Sequence, residues 1–405
     1  MTNNESAQAR RVPALHRRRD LKMARDAHAY VRGSTRKFYE WLASSQGRSI
    51  PEGPQVWICG DAHVGNLGPI ARCDERIEVE LRDMDQTVPG NPAHDLVRLA
   101  LSLAMAARSS DLPGVVTARL VEELMAGYLG AFEDPAKTAA TSESAAVRFV
   151  VREALRRKWR HLSVGKKPEF PLGQRFMPLE AEERAGVEAF LNRERVRQLV
   201  TRIECRDDDA TIAVLDAAFW VKGCSSLGLW RCAALVEVLG HGKKKGGYSL
   251  LDLKEAVRPL APIGSESELP ETQGERVVRG ARALAPALGD RMLSGTIAGH
   301  SVFVRELMPQ DLKLELEMFD DSEARATARA LARIVGIAHA RQLDEATRDK
   351  WRAELERGAT RSLDAPSWLW SSVVDLVGIH ERAYLDHCRR YALENEKAKE
   401  ERERA

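Results

Sequence analysis

Val56-Trp57-Ile58-Cys59-Gly60-Asp61-Ala62-His63-Val64-Gly65-Asn66, followed by Ile77 to Leu81 and then Arg82-Asp83-Met84-Asp85, is the stretch on which the reading of this chain turns. Val56 to Cys59 is a short apolar run of the kind that forms a buried strand. Gly60 ends it and places Asp61 at its mouth. The second β-rich run, Ile77 to Leu81, ends in Asp83 and Asp85. Polar groups at the ends of buried strands are costly to desolvate, so they make poor core and good ligand or metal contacts. The plainer alternative is a β-hairpin whose Asp and Asn only shape its turns. Asp, His, Asn, Asp and Asp within so short a stretch argue for chemistry instead.

The order of these groups has a logic of its own. Phosphoryl transfer needs a carboxylate to orient the attacking hydroxyl, and an amide oxygen and a second carboxylate on Mg²⁺. Asp61 and Asn66 stand in the spacing D-x-x-x-x-N. This stretch resembles the H-G-D-x-H-x-x-N loop of the aminoglycoside phosphotransferase and choline kinase branch of the protein-kinase-like superfamily, with Cys59 in place of the usual first His. That branch continues with I-D-W and G-x-P-x-x-D-L. Here the chain reads Arg82-Asp83-Met84 and Gly90-Asn91-Pro92-Ala93-His94-Asp95-Leu96. A narrower pattern, G-D-A-H-x-x-N-x-G, then D-x-D, then D-L-x-R-L-A-x-S-L, is similar to the bacterial DUF2252 proteins. Leu96 to Leu103 fits its last element, and Lys22-Met23 with Val31-Arg32-Gly33 fits it upstream.

The rest of the chain sets bounds. It has 405 residues, enough for two domains or lobes. With 62 basic and 60 acidic residues and a net charge of +2, no global field marks a nucleic-acid binder. The cysteines at 59, 73, 205, 224, 232 and 388 form no C-x-x-C pair, so neither a zinc knuckle nor a redox pair is expected. No apolar signal segment and no run of 18 apolar residues is present, so a cytoplasmic protein without membrane spans is expected. The oligomeric state is not encoded in any motif.

Residues 1 to 12 are polar and expected to be loose. Helices are expected over 16–45, with an interruption at Arg32-Gly33, and over 95–107, 112–132, 146–162 and 180–203, with a loop at 134–145. The basic runs His16-Arg17-Arg18-Arg19 and Arg152 to Arg160 are either solvated faces or phosphate-facing patches. Near 210 the texture changes to short strands: 212–215, 217–221, 232–239 and 248–256. The loop Lys222-Gly223-Cys224-Ser225-Ser226-Leu227-Gly228 lies between two of them. Gly223, Ser225, Ser226 and Gly228 suit a loop whose backbone N–H groups wrap phosphate, although most Gly/Ser hairpins are only hairpins. Lys254, on an interior strand, needs a partner or an exposed position. A helix is expected from Pro270 to about Leu288, then strands at 293–298 and 301–307, a helix at 324–341, and helical chain from 345 to a charged, fraying end.

The kinase-like resemblance gives these pieces roles. Asp61 is the expected base. His63 either assists there or holds the loop by hydrogen bonding. Asn66 and Asp83 are the expected Mg²⁺ ligands, and Asp85 a supporting or second-metal carboxylate. Lys254 binds phosphate, and Glu275 on the following helix is the expected acid paired with it, with Glu271 close by. Val304 to Met308, including Glu306 and Met308, is the connector expected to meet adenine through its backbone. Asp95 is expected to tether the loop by backbone hydrogen bonds. The order is a circular permutation of the kinase cycle, because the catalytic loop and metal Asp precede the Gly loop, Lys strand, helix and connector.

The expected fold is therefore α+β: a two-lobed, circularly permuted protein-kinase-like fold. Residues 1–15 form a flexible N-terminus, 16–209 the catalytic-loop and helical lobe, 210–308 the β-rich nucleotide-binding lobe, and 309–405 a helical return. The expected activity is ATP- and Mg²⁺-dependent transfer of phosphoryl, or else nucleotidyl, to a hydroxyl of an unknown, small-molecule acceptor. Two alternatives stand beside it. A two-metal phosphoesterase would need further His and Asp ligands downstream. A catalytically inactive nucleotide-binding protein would bind without turnover. Lone histidines such as His94, His161 and His387, and Trp351, Trp368 and Trp370, are expected in packing roles.

Overall fold

The computed structural model describes residues 7–109, 114–133, 145–156, 169–203, 206–240, 247–263, 269–309, 311, 321–357, 359–360 and 363–403. Three helices open the chain: α1 (Ala7–Met23), α2 (Ala27–Gly33) and α3 (Thr35–Leu42). The expected interruption at Gly33 is present. The expectation of loose chain up to residue 15 fails from Ala7 onward, because Arg11 is buried against Glu183 at 2.6 Å and ties α1 to the body. Residues 1–6 lie outside the described residues.

Strands β1 (Val56–Ile58), β2 (Leu67–Ala71), β3 (Ile77–Leu81) and β4 (Val88–Gly90) follow. β1 pairs with β4, and β2 with β3, both antiparallel. In the second pair Leu67 faces Leu81, and the Arg82 N–H donates to the Asn66 carbonyl at 2.9 Å. Hairpin register thus delivers Asn66 and Asp83 to the same end of the ladder.

Helices α4 (Ala93–Ser109), α5 (Gly114–Glu133) and α6 (Ala145–Arg156) come next. α4 is apolar nearly all round and accordingly buried. The expected loop at 134–145 falls almost wholly outside the described residues, as does the expected helix beyond 156. β5 (Phe176–Met177), α7 (Ala181–Leu191) and α8 (Glu194–Thr201) lead into the main sheet. The one helix expected over 180–203 is two, broken at Asn192 and Arg193.

β6 (Thr211–Trp220), β7 (Arg231–Leu239) and β8 (Gly247–Glu255) precede α9 (Gln273–Leu284), α10 (Pro286–Gly289), β9 (Met292–Ile297) and β10 (His300–Leu307). The six strands form one sheet in the order β5-β6-β7-β8-β10-β9, antiparallel throughout. The two short strands expected over 212–221 are one strand with a bulge near Val214. Alternation assigns the faces. Phe219, Cys232, Leu253 and Val302 pack with Phe190, Leu191 and Val196 of α7 and α8 on one face. Trp220, Arg231, Lys254 and Phe303 are cross-strand neighbours in one row of the other face, and Asp252 and Arg305 pair in the next.

The chain closes with α11 (Asp321–Ala340), α12 (Glu345–Arg357), a small hairpin of β11 (Ala359–Thr360) and β12 (Leu363–Pro366), and α13 (Ser367–Glu403). This hairpin corrects the expectation of continuous helix after 345. α11 packs on α5 at close range: a Cβ on Gly127 would fall 2.1 Å from the Arg329 carbonyl oxygen. The largest hydrophobic core joins α4, α5, α11 and α13 to β1 and α9. The architecture is α+β. Among the described residues no helix is long and apolar enough to cross a membrane.

One core carboxylate makes stability pH-dependent. Glu80 of β3 is 4% exposed, with the amides of Ala287 and Leu288 at 3.4 and 3.2 Å. Burial, with the Glu78 charge behind it, pushes Glu80 up to about 7, against the pull of Arg341 and those amides. The folded state then binds this proton more tightly than the unfolded chain. Stability conferred by Glu80 is greatest below the unfolded value near 4.5 and falls as pH rises to about 7. Glu80→Gln is expected to remove that loss, a difference on the order of 3 kcal/mol between the two ends of the window. Urea unfolding of both proteins across that range checks it; parallel pH profiles would refute the assignment.

Candidate active site

The loop after β1 is held from behind. Gly60 has φ +73°, and a Cβ there would lie 2.3 Å from the Gln86 carbonyl oxygen, so only glycine fits. Asp95, fully buried in the first turn of α4, accepts the N–H groups of Cys59 at 2.7 Å and Gly60 at 2.8 Å. His339 near the end of α11 reaches the same carboxylate at 3.2 Å. The next turn of chain places Gln342 on β1, where its side chain accepts from Trp57 N at 2.8 Å and donates to Trp57 O at 3.0 Å. The tethering contacts expected of Asp95, and α11 lying beside the strand that leads to Asp61, are both present.

Asp61 projects from this loop into a cleft of about 400 Å³. Its Oδ1 accepts from Arg98 Nε at 2.7 Å and its Oδ2 from Thr35 Oγ1 at 3.0 Å. Arg98 is fully buried and also donates to the Val31 carbonyl at 2.7 Å. His63 lines the same cleft. Burial first, and then the charges of Arg32 and Arg98, hold its imidazole well below the usual range, so it is neutral at pH 7. Its Nδ1 is buried without a partner among the described residues.

Asn66 is 3% exposed. Its amide donates to the Asp83 carbonyl at 2.9 Å and the Asp61 carbonyl at 3.3 Å, and its Oδ1 is buried without a partner among the described residues. Asp83 has half of its side chain exposed to the cleft, and Lys254 Nζ stands 3.6 Å from its carboxylate. Lys254 also contacts the Asp85 carboxylate directly, although 169 residues separate them in sequence. Burial opposes ionisation of Asp83, but Lys254, Arg305 and Arg231 outweigh it and hold the group below the usual carboxylate range. Asp85 goes the other way: burial and the Asp83 charge push it up to about 6 against the attraction of Lys254. Two close carboxylates sharing one ammonium split in this manner. The Asp85 Oδ1 is a second buried acceptor without a partner among the described residues.

Ser225, Ser226 and Gly228 line the cleft opposite these carboxylates. Gly223 sits behind the loop, with φ +98° and its carbonyl accepting from Lys22 Nζ at 2.9 Å. α1 thus braces the loop, and its Val12, His16 and Arg19 share the cleft wall.

Three expected site residues are elsewhere. Glu275 does not meet Lys254. It lies outward on α9, paired with Arg279 at 2.7 Å, one residue away from the buried face. That face presents Arg276, fully buried, which donates to the Asp85 carbonyl at 3.0 Å and the Val257 carbonyl at 3.0 Å. The acid beside Lys254 is Asp85 instead. Glu306 is fully buried and bonded to Arg206 and Ser249, and its backbone N–H and carbonyl are both engaged by Arg291. The Met308 N–H donates to Asp311 at 3.0 Å, and its side chain packs with Ala71 and Ile203. These groups are used internally and do not line the cleft. Glu275→Ala is accordingly expected to change stability by less than about 0.5 kcal/mol, as for exposed helix pairs. A urea midpoint lowered well beyond that would contradict its outward placement.

Reading the sequence also missed groups that matter here. Arg98 follows Asp95 by one helical turn, so spacing alone puts both on one face of α4. Asp252 precedes Lys254 by two, so alternation puts both on one face of β8. Arg231 and Arg305 converge on Asp252, at 2.8 and 3.1 Å, only through strand pairing, which no local signal announces.

As chemistry, the cleft offers two hard oxygen acceptors without partners among the described residues, Asn66 Oδ1 and Asp85 Oδ1, beside the ionised Asp83. These suit a cation that takes few protein ligands, as Mg²⁺ does. Among the described residues no cluster of three or more His, Cys, Asp and Glu is arranged to hold a metal by itself.

Comparison with curated proteins and with solved structures returned no match. The family model described as "Uncharacterized protein conserved in bacteria (DUF2252)" matches residues 11–390, which include every residue discussed at the cleft. The chain therefore belongs to the DUF2252 family of bacterial proteins.

Proposed function

We propose that this protein is an ATP- and Mg²⁺-dependent phosphotransferase that acts on a hydroxyl of a small acceptor. The observation that carries the reading is that Lys254, buried just behind the cleft wall, meets Asp83 and Asp85, which line the cleft together with Asp61 and Asn66. Nothing local enforces that meeting. Asp83, Asp85 and Asn66 Oδ1 would hold Mg²⁺, which when bound neutralises charge on the nucleotide phosphates. Lys254 releases the carboxylates and takes a phosphate oxygen. Asp61, fixed by Arg98 and Thr35, orients the acceptor hydroxyl and receives its proton. Phosphoryl transfer is mostly positioning and charge stabilisation, so a carboxylate held at two points suits the task.

A circularly permuted kinase-like arrangement is part of this proposal. A sheet carrying the Lys, a helix after it and the Asp61 loop supplied by the start of the chain occur in the required order. α9 departs from that scheme by bringing Arg276, not an acid, to the carboxylates. Among the described residues the two-metal phosphoesterase reading draws no support from a metal-ligand cluster, and Arg98 occupies Asp61 where such an enzyme would place a cation.

The test is incubation of the protein with γ-labelled and, separately, α-labelled ATP, Mg²⁺ and a metabolite extract. Transfer of the γ label alone is the expected result. Transfer of the α label would replace the proposal with nucleotidyl transfer. Nucleotide binding with neither label transferred would support an inactive binding protein.

A further inference from the structure

A second concavity, of about 460 Å³, lies between α8, α9 and the edge strand β9 and shares no residue with the cleft. Arg195, Arg202, Arg279 and Arg282 surround it, against a single carboxylate, Glu275. Its floor is apolar: Leu199, Val278 and Met292 are each at most 4% exposed.

Two of the arginines are already positioned. Arg195 donates to the Ser294 carbonyl, and Arg202 to the Asp290 carbonyl at 2.8 Å. These anchors lie near the two ends of the first half of β9, so much of the ordering entropy of two long side chains is spent before any ligand arrives. A guanidinium has five donors, and one bond leaves the others available. Arg279 is balanced by Glu275 at 2.7 Å, whereas Arg282 is exposed and engaged by none of the described residues. A concave surface with this excess of one charge focuses the field on an incoming anion.

From this we infer a ligand site for a small organic phosphate: an anionic head held by the arginine rim, with an aromatic or aliphatic portion over Leu199, Val278 and Met292. Arginine favours phosphate because its fork matches two oxygens at once. The apolar floor sets the preference for an organic phosphate over inorganic phosphate, since the ligand's own apolar surface gains about 25 cal/mol per Å² when it is covered there.

The test uses the full chain and 1-naphthyl phosphate, followed by its own fluorescence, with inorganic phosphate and 1-naphthol as comparisons. Saturable binding is expected, tighter than for either comparison. Arg282→Ala combined with Arg279→Ala is expected to weaken it by about tenfold or more, as for loss of charge-assisted hydrogen bonds. Both side chains are exposed, so the variant should fold, which its thermal transition verifies. Lys254→Ala in the other cleft should leave naphthyl phosphate binding unchanged. Unaltered affinity in the arginine variant would overturn the assignment, and so would loss of binding in Lys254→Ala. Failure of naphthyl phosphate to bind while an acidic phosphopeptide does would replace the small-molecule site by a peptide-docking one. None of these readouts depends on catalytic turnover, so the outcome is separate from that of the phosphotransferase proposal.

Discussion

Asp83→Asn should abolish Mg²⁺-dependent nucleotide turnover, lowering kcat by about 10³-fold, while the protein stays folded. The amide matches the carboxylate in size but loses the charge that a hard cation requires. A loss of this size is typical when one preorganised electrostatic contact to transferring charge is removed. The fold should tolerate the change, because Asp83 is half exposed and Asp85 remains beside Lys254. Stability should shift by less than about 1 kcal/mol, the scale of a partly solvated ion pair. Turnover across a Mg²⁺ titration, with a urea midpoint on the same preparation, measures both parts. Activity equal to wild type at limiting Mg²⁺ would remove Asp83 from the site.

Arg98→Ala is expected to have the largest effect on stability, about 3–5 kcal/mol, the usual result of breaking a buried ion pair from one side. The substitution leaves the Asp61 carboxylate without its guanidinium, leaves the Val31 carbonyl with only its Ser34 donors, and opens space beside the Phe38 ring, whose centroid lies 5.6 Å from the Arg98 guanidinium carbon. Arg98→Lys should rescue only part of it. A single ammonium cannot reproduce the Nε bond to Asp61 and the terminal bond to Val31 O in one planar fork. A double-mutant cycle with Asp61→Ala isolates the pair, since removing both partners leaves no unpaired charge. A cost for Arg98→Ala that is the same with and without Asp61 would show that the arginine acts through packing and not by holding the loop carboxylate.

Much of the site was legible in the sequence, and the legible parts are local. Val56 to Ile58, Gly60 and the hairpin from Leu67 to Leu81 are governed by apolar runs and turn geometry spanning a few residues. Asp61, Asn66, Asp83 and Asp85 therefore come together by backbone pairing already implied by their spacing. Asp95 was legible for a similar reason: a carboxylate opening a helix just after the loop has backbone donors within reach. The failures have a common scale as well. Glu275 and Arg276 differ by one position, which on a helix is a rotation of about 100°. α9 turns by its packing against β9, β10 and the main core, not by its own charges. Glu306 and Met308 read as a connector because the kinase-like resemblance puts one at the end of this strand, yet Arg206, Arg291 and Asp311 claim their polar groups.

By itself, then, the sequence determined the α+β composition, the strand ends that bear carboxylates, and the turn at Gly60. Each depends on interactions among near neighbours, whose entropy of closure is small. Tertiary structure alone decided that Asp85, not Glu275, lies against Lys254, that Arg98 and Thr35 pin Asp61, and that α1 braces the Gly223–Gly228 loop. Those contacts join segments from 26 to 201 residues apart. Their partners are chosen by strand register and helix rotation, which the packing of the whole core sets and no local pattern encodes.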